Sequence, residues 1–104
     1  MVNQSTIISM NITFRNMDGS EALKSYAREK LENCLRKFVR KNTEANVVLQ
    51  VEKHRQIAEI TFLTDGASFK NSEESEDMYK SIDALVDSLN NQLRRHKDKL
   101  TKHN

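Results

Sequence analysis

The sequence predicts an α+β fold, a two-layer sandwich in which two helices cover one face of a four-stranded sheet in the order β-α-β-β-β-α. Four stretches alternate apolar and polar residues at the period of a strand, and two longer stretches repeat apolar residues at helical spacing. Both helices are amphipathic and need a sheet face to cover, while the other face of the sheet meets solvent. We expect all 104 residues to form one domain, residues 1–104.

The first half of the chain predicts a strand and a long helix. In "TIISMNITF" the apolar residues fall on one face of a strand. In the following "NMDGS", Gly19 is expected to supply turn freedom and Ser20 to cap the helix. The helix is predicted from Glu21 to about Lys41, because one apolar stripe runs along it, formed by Leu23, Ala27, Leu31, Cys34, Leu35 and Phe38.

The second half predicts three strands and a second helix. "NVVLQVEKH" and "QIAEITFLT" both alternate, and "DG" at residues 65–66 is a strong hairpin signal that leads into a shorter, polar strand in "ASFKNSEE". The second helix is predicted from about Glu76 to Thr101, with Asp77 as its cap. Its apolar stripe places His96 at the rim of the core.

Charge is distributed unevenly along the chain, although the net charge is only +2. Residues 20–41 carry seven Lys/Arg against three acids, a balance of +4, and residues 89–104 carry five against one, again +4. Residues 65–88 carry two against seven, a balance of −5. Such segregation favours a polyanionic partner, and nucleic acid is the first candidate. The alternative is that acids at a helix start and cations at its end only complement the helix dipole.

The basic residues flank both apolar stripes. On the first helix one flank carries Lys24, Arg28 and Arg36, and the other carries Lys30, Lys37 and Lys41. On the second helix Lys97 lies on one flank, and Arg95 and Lys99 lie on the other. If the helices lie side by side, their inner flanks meet as a positive ridge along a groove. Alternatively, these long side chains only extend over the rim of the core.

The sequence disfavours several other functions. No apolar run approaches the roughly 20 residues of a membrane span, and the N-terminus lacks a signal-peptide pattern. The single Cys34 fits a reducing compartment, so we expect a cytoplasmic protein. Cys34 lies on the buried stripe and has no zinc-binding spacing with His54, His96 or His103. Without a glycine-rich phosphate loop or an acid/base pair, we expect no enzyme, no metal and no cofactor.

The second helix carries a family resemblance. "EDMYKSIDALVDSLNNQLRRHKDKL", residues 76–100, resembles the terminal helix of the ribosome hibernation promoting factors. This family includes ribosome-associated inhibitor A (protein Y) and proteins described as sigma-54 modulators. "MNITFRNMDGSEALKSYAREKLENCLRKF" is similar to the family's first strand and helix, and "VVLQVEKH" to its second strand. The resemblance covers nearly the whole chain.

The resemblance implies a fold laid out like a double-stranded RNA-binding domain and a function without catalysis. Such proteins bind the small ribosomal subunit between head and body, at the decoding region of 16S rRNA. They occupy the space of mRNA and of A- and P-site tRNA, which silences translation in stationary phase. The chain resembles the short class and lacks the acidic tail of the inhibitor branch. We therefore expect a monomer that promotes inactive ribosome dimers with a separate modulation factor, and no membrane or DNA partner.

The resemblance and the flank positions together give the residues expected to contact rRNA. On the first helix these are Lys24, Arg28 and Arg36, with Lys30 and Lys37 as further candidates. On the second helix they are Arg94, Arg95, Lys97 and Lys99. Tyr79 either stacks on a base or sugar or packs in the core.

Some positions depart from the family pattern. Ser88 and Asn91 stand where relatives often carry Lys or Arg, which weakens the charge in the middle of the second helix. On the fourth strand small residues are expected where the chain has Asn71, Glu73 and Ser75. Glu73 is the unusual one, because an acid there either lies at an exposed strand end or weakens RNA binding nearby.

Two other functions remain open. A stand-alone double-stranded RNA-binding protein would have the same topology and basic helices, and it would bind isolated duplex RNA about as well as ribosomes. A modulator of sigma-54 transcription would act through protein contacts, and reversing the charges of its basic ridge would be harmless.

Overall fold

The computed structural model describes residues 6–101 and has the predicted order of elements. The strands are β1 (Ile8–Arg15), β2 (Thr43–Glu52), β3 (Arg55–Thr64) and β4 (Ala67–Ser75). The helices are α1 (Glu21–Arg36) and α2 (Met78–Thr101). The predicted β-α-β-β-β-α two-layer fold is therefore confirmed, and Lys102 and His103, which entered the sequence analysis, lie outside the described residues.

The four strands form one sheet in the order β1-β2-β3-β4, so β1 and β4 are its two edges. β1 pairs with β2 in parallel, with Ile12 opposite Val47, and the other two pairings are antiparallel. The β3–β4 hairpin turns at Asp65 (φ 54°) and Gly66 (φ 74°). Positive φ at both central residues is typical of a type I′ turn, which confirms the hairpin predicted from "DG".

One apolar core fills the space between the sheet and the two helices. Alternate residues of β2 and β3 supply its floor, and the helices supply its cover with Leu31, Leu35, Ile82, Leu85, Leu89 and Leu93, all essentially inaccessible to solvent. The intervening strand residues, such as Glu44 and Asn46, are exposed on the other face. Both helices therefore lie on the same side of the sheet, as expected from their stripes.

The two helices run parallel to each other. Near their first turns the Tyr26 hydroxyl donates a hydrogen bond to Asp83, and further along Cys34 contacts Asn90, so residue numbers rise together on both helices. The C-terminal ends of α1 and α2 therefore lie at the same end of the molecule.

α1 ends at Arg36, five residues before the predicted Lys41. The backbone N–H of Lys37 donates to the Cys34 carbonyl, and that of Phe38 donates to the Leu35 carbonyl, which tightens the last turn and ends the helix. Val39 then turns into the core at 3% exposure. The helical spacing of apolar residues continues past the end of the helix, so the periodicity alone overestimated its length.

The sequence also predicted the length of β4 and the caps of both helices. β4 has nine residues against ten in β2 and ten in β3, so it is the shorter strand that was expected after the hairpin. α2 begins at Met78 instead of about Glu76, and Asp77 accepts from the Tyr79 N–H as the predicted cap. Ser20 accepts from the Leu23 N–H at 3.1 Å and caps α1.

The role predicted for Gly19 was wrong. Gly19 is absent from the residues with positive φ among those described, so it does not supply a left-handed turn. Instead, a Cβ at this position would lie 2.4 Å from the Phe14 ring. Gly19 is therefore required by the close approach of the chain to Phe14, which packs against the core.

Candidate nucleic-acid interface

We call the surface between the parallel helices the helix groove. Two lysines lie on its α1 side. Lys30 places its Nζ atom 5.5 Å from the centre of the Tyr26 ring, and Tyr26 in turn bonds to Asp83 of α2. Lys37 lies beside Cys34, whose Sγ contacts Asn90 of α2. The groove flank of α1 is therefore the one with Lys30 and Lys37, which the sequence analysis ranked behind Lys24, Arg28 and Arg36.

Two tyrosines lie at the end of the groove where both helices begin. The rings of Tyr26 and Tyr79 pack edge to face with centroids 4.9 Å apart, and Tyr79 remains 40% exposed. Tyr79 is thus at the surface instead of in the core. The hydrogen bond to Asp83 raises the pKa of the Tyr26 phenol, and burial adds to the effect. Tyr26 was not among the residues predicted for the site, although its spacing three residues after Leu23 places it beside the apolar stripe.

The other flank of α1 lies over the edge strand β1. Arg28 donates to the Met10 carbonyl at 3.3 Å, and Arg36 donates to the Thr6 carbonyl at 3.1 Å. Glu32 lies between them, 4.0 Å from Arg28 and 3.7 Å from Arg36. These arginines cover carbonyl groups on the open edge of the sheet, which disfavours pairing with another strand. Lys24 lies one turn before Arg28 on the same flank.

The basic residues of α2 divide between two sides of the helix. Arg94 and Lys97 lie four and seven residues after Asn90, which contacts α1, so they lie on the groove side. Arg95 and Lys99 line a shallow depression beside Phe69 of β4. The predicted opposite placement of Lys97 from Arg95 and Lys99 is confirmed, and the cations do not form a single ridge.

His96 lies between these two sides, at the rim of the core as expected. Its Nε2 atom is 3.2 Å from the Asp65 carboxylate, and its ring packs edge to face on Phe69 at 5.1 Å. His96 therefore ties the last turns of α2 to the β3–β4 hairpin.

The unusual polar residues of β4 form a layer of hydrogen bonds with α2. Asn71 donates to the Ser88 hydroxyl at 3.0 Å, and the hydroxyls of Ser75 and Ser81 are 3.0 Å apart. Asn71 and Ser81 are buried, at 8% and 0% exposure, so these bonds satisfy polar groups that water does not reach. Ser88 therefore serves the β4–α2 contact, and Glu73 lies half-buried on the same face of β4.

The parallel helices gather charge of one sign. The C-terminal part of α1 and the segment after it carry Arg36, Lys37, Arg40 and Lys41, and the last turns of α2 carry Arg94, Arg95, Lys97 and Lys99 at the same end of the molecule. The groove with its tyrosines leads to this basic end. Cationic side chains along a groove with exposed aromatic rings are suited to a nucleic-acid backbone and its bases.

Metal binding and nucleophilic chemistry find little support in the described part of the chain. Within residues 6–101 no three His, Cys, Asp or Glu side chains are grouped so that they could hold a metal ion. Burial raises the pKa of the Cys34 thiol, and nearby Lys37 opposes this only in part, so the thiol is a poor nucleophile. Neither helix of the described chain is long and apolar enough to cross a membrane.

Comparison with known proteins finds relatives named as ribosome hibernation promoting factors. The chain is 41% identical over 96 residues to the ribosome hibernation promoting factor of Salmonella typhimurium, covering 92% of this chain and 100% of that protein. It is 38% identical over the same length to the protein of that name from Escherichia coli K12, with the same coverage.

Solved structures show the same fold. A ribosomal subunit interface protein from Coxiella burnetii matches 86% of this chain and 97% of its own, with a TM-score of 0.76 and 25% identity. The N-terminal domain of protein Y from Thermus thermophilus matches 88% and 99%, with a TM-score of 0.75 and 30% identity.

The family assignment rests on most of the chain. Residues 10–101 match the family described as sigma 54 modulation protein / S30EA ribosomal protein. Neither that description nor the names of the relatives denotes an enzyme, in agreement with the expected absence of catalysis. From the order of its strands and helices, the fold and these matches, we conclude that the chain belongs to the sigma 54 modulation protein / S30EA ribosomal protein family.

Proposed function

We propose that this protein is a ribosome hibernation factor that binds the small ribosomal subunit in the cytoplasm of a bacterium. It occupies the mRNA and tRNA channel at the A and P sites, against the decoding region of 16S rRNA, and so inhibits translation. Together with a separate modulation factor it promotes inactive ribosome dimers in stationary phase. Residues 1–104 act as one ribosome-binding domain. The names of its relatives support the ribosomal role.

The observation that carries the proposal is the parallel arrangement of the two basic helices. It places Lys30 and Lys37 of α1 along one groove with Arg94 and Lys97 of α2. A channel walled by rRNA presents phosphates on several sides, and a protein that fills it needs shape and positive charge, with no chemical step.

The residues take different parts in this proposal. The groove cations are the first candidates for phosphate contact, and Arg95 and Lys99 form a second contact on the β4 side. Tyr79, exposed at the start of the groove, stacks on a base or sugar. Arg28 already bonds to a carbonyl of β1 and Arg36 to that of Thr6 just before it, so they and neighbouring Lys24 contribute to the field of the surface more than to direct contact.

The proposal is tested by sedimenting the protein with ribosomes through sucrose at low and high salt. We expect it to travel with the small subunit, to be released as salt rises, and to compete with tRNA. The double variant Lys37→Glu/Arg94→Glu should lose binding. A matched control, Arg15→Glu/Lys70→Glu, makes the same change in net charge at exposed positions outside the groove and should retain it.

A second variant tests the end of α2. Replacing Arg95, Lys97 and Lys99 together by Glu should abolish ribosome binding while leaving the melting temperature nearly unchanged, because all three are exposed. Intact binding by both charge-reversed variants would refute the role of the basic surface and favour the protein-contact modulator of sigma-54. Equal affinity for isolated duplex RNA would favour a stand-alone RNA-binding protein. A shift of ribosomes toward dimers when the modulation factor is added would support promotion over inhibition of dimers.

A further inference from the structure

A small pocket lies where the last turns of α2 meet the chain that follows α1. Its volume is about 150 Å³. Its lining combines apolar, cationic and polar side chains, among them Phe38, Val39, Leu93, Arg40, Lys97 and Asp65. The pocket lies at the basic end of the helix groove.

The early end of α1 creates this pocket. Because the helix stops at Arg36, Phe38 and Val39 leave the helix axis and no further turn of α1 packs on the last turns of α2. Val39 and Leu93 are buried at 3% and 1% exposure and form an apolar floor. Phe38 is only partly buried and offers an aromatic wall.

The dimensions and lining of the pocket restrict what it can hold. This pocket is partly open, and a space of roughly 150 Å³ accommodates one benzene-sized ring, whereas drug-sized ligands need about 300 Å³ or more. A planar ring would contact the apolar floor and Phe38. Arg40 and Lys97 among the lining residues are suited to an anionic group attached to that ring.

The polar wall adds a preference among planar rings. The Asp65 carboxylate has one oxygen, Oδ2, within 3.2 Å of His96, and a carboxylate has acceptor capacity for more than one donor. Aspartate accepts hydrogen bonds from the exocyclic amino group of cytosine, whereas uracil presents a carbonyl oxygen at the equivalent position. The acceptor in this wall therefore favours cytosine.

We propose that this pocket binds the single-ring base of one unpaired pyrimidine nucleotide of RNA, cytosine in preference to uracil, with its phosphate held by Arg40 and Lys97. The inference rests on the proposed function, since it supplies a base contact within a surface that otherwise binds the RNA backbone. A free pyrimidine nucleotide shares the same chemistry, and the experiment separates the two sources.

The test uses the full chain labelled with ¹⁵N and titrated separately with short oligomers of cytidine, uridine and adenosine, and with free CMP. We expect the cytidine oligomer to bind tightest and to shift the amide signals of the pocket residues. Phe38→Ala should weaken that binding about tenfold, within the range for losing one stacked base. Arg40→Gln should also weaken it, whereas Arg15→Gln, an equal charge change outside the pocket, should not.

Asp65→Asn tests the base preference and keeps the turn, because Asn-Gly is a favoured sequence for a type I′ turn. An amide has both a donor and an acceptor, so the preference for cytidine over uridine should disappear. Asp18→Asn, an exposed residue in the β1–α1 turn, is the matched control and should keep it. A melting curve of each variant verifies folding, and if Phe38→Ala is unfolded, Arg40→Gln and Asp65→Asn carry the test.

Three results would overturn the inference: equal binding of adenosine and cytidine oligomers, pocket amides that do not shift, or CMP binding as tightly as the cytidine oligomer. If one of these is found while the protein still sediments with ribosomes, only the pocket assignment fails. If the protein does not sediment with ribosomes at all, the proposed function itself fails.

Discussion

The hydrogen bond between Asn71 and Ser88 gives a prediction about stability that depends on burial. Asn71 of β4 is 8% exposed and donates to the Ser88 hydroxyl at 3.0 Å, while Ser88 itself is only half-buried. Replacing Ser88 by Ala removes the hydroxyl that accepts this bond and leaves the buried side-chain amide of Asn71 without that acceptor. An unsatisfied buried polar group costs about 1–3 kcal/mol. We therefore expect Ser88→Ala to lower the free energy of unfolding by roughly this amount.

The partner variant should have a smaller effect. Asn71→Ala leaves the Ser88 hydroxyl, which water can reach, so no buried polar group is stranded. In the double variant neither group remains, and its loss of stability should be smaller than the sum of the two single losses by about 0.5–2 kcal/mol. For a domain of this size, each kcal/mol lost from the free energy of unfolding lowers Tm by about 4–8 °C.

The assay is urea and thermal unfolding of the parent, both single variants and the double variant, followed by circular dichroism. The expected order of stability loss is Ser88→Ala above Asn71→Ala, with positive coupling in the double variant. Strictly additive losses would refute the reasoning, because they would mean that the two side chains do not share a bond in solution. A Ser88→Ala protein as stable as the parent would do the same.

The remaining predictions concern the start of α1 and the outer face of the sheet. Gly19→Ala should destabilise the protein by about 1–3 kcal/mol in chemical unfolding, because the new methyl group collides with Phe14; an unchanged midpoint would contradict the close approach. Ser20→Ala should cost about 1 kcal/mol in the same assay through loss of the cap. Arg55 donates hydrogen bonds to Glu74 and so holds the pKa of Glu74 below its usual 4.5. The stability that this carboxylate adds is therefore present at neutral pH and is lost as pH falls through the lowered pKa. Unfolding curves of Glu74→Gln should differ from the parent at pH 7 and converge with it in acid; a constant difference at all pH values would refute the ionic origin.

Local patterns predicted the elements of this fold because each of them has a local cause. Alternation in the strands, the "DG" turn and the caps at Ser20 and Asp77 all act within a few residues, and the structure has each of them. The end of α1 could not be predicted in the same way. Phe38 continues the helical spacing of apolar residues, and only the packing of Val39 into the core shows that the chain has left the helix.

The candidate site was predictable in composition but not in arrangement. The sequence placed the cations on opposite flanks of each helix, and this is correct for those within the helices, whereas Lys37 caps α1 and Lys41 lies beyond its end. Which α1 flank faces α2 depends on contacts across more than fifty residues, such as Tyr26 with Asp83, and no local pattern contains this information. The same contacts show that Arg28 and Arg36 lie over β1, where their bonds to backbone carbonyls have no sequence signature.

The parallel helices have a consequence for how the protein meets its partner. The described chain is 48 Å long, several times the Debye length of about 10 Å at 0.1 M salt. A charged partner that approaches one end of the protein therefore responds to the charges at that end and not to the net charge of +2. The basic end is attracted to the phosphates of the proposed RNA partner while Glu76 and Asp77, just before α2, are repelled, so the molecule is rotated before contact and most encounters start in one orientation. Rearranging the same charges evenly over the surface would keep the isoelectric point and abolish this alignment, and association would slow even though the composition was unchanged.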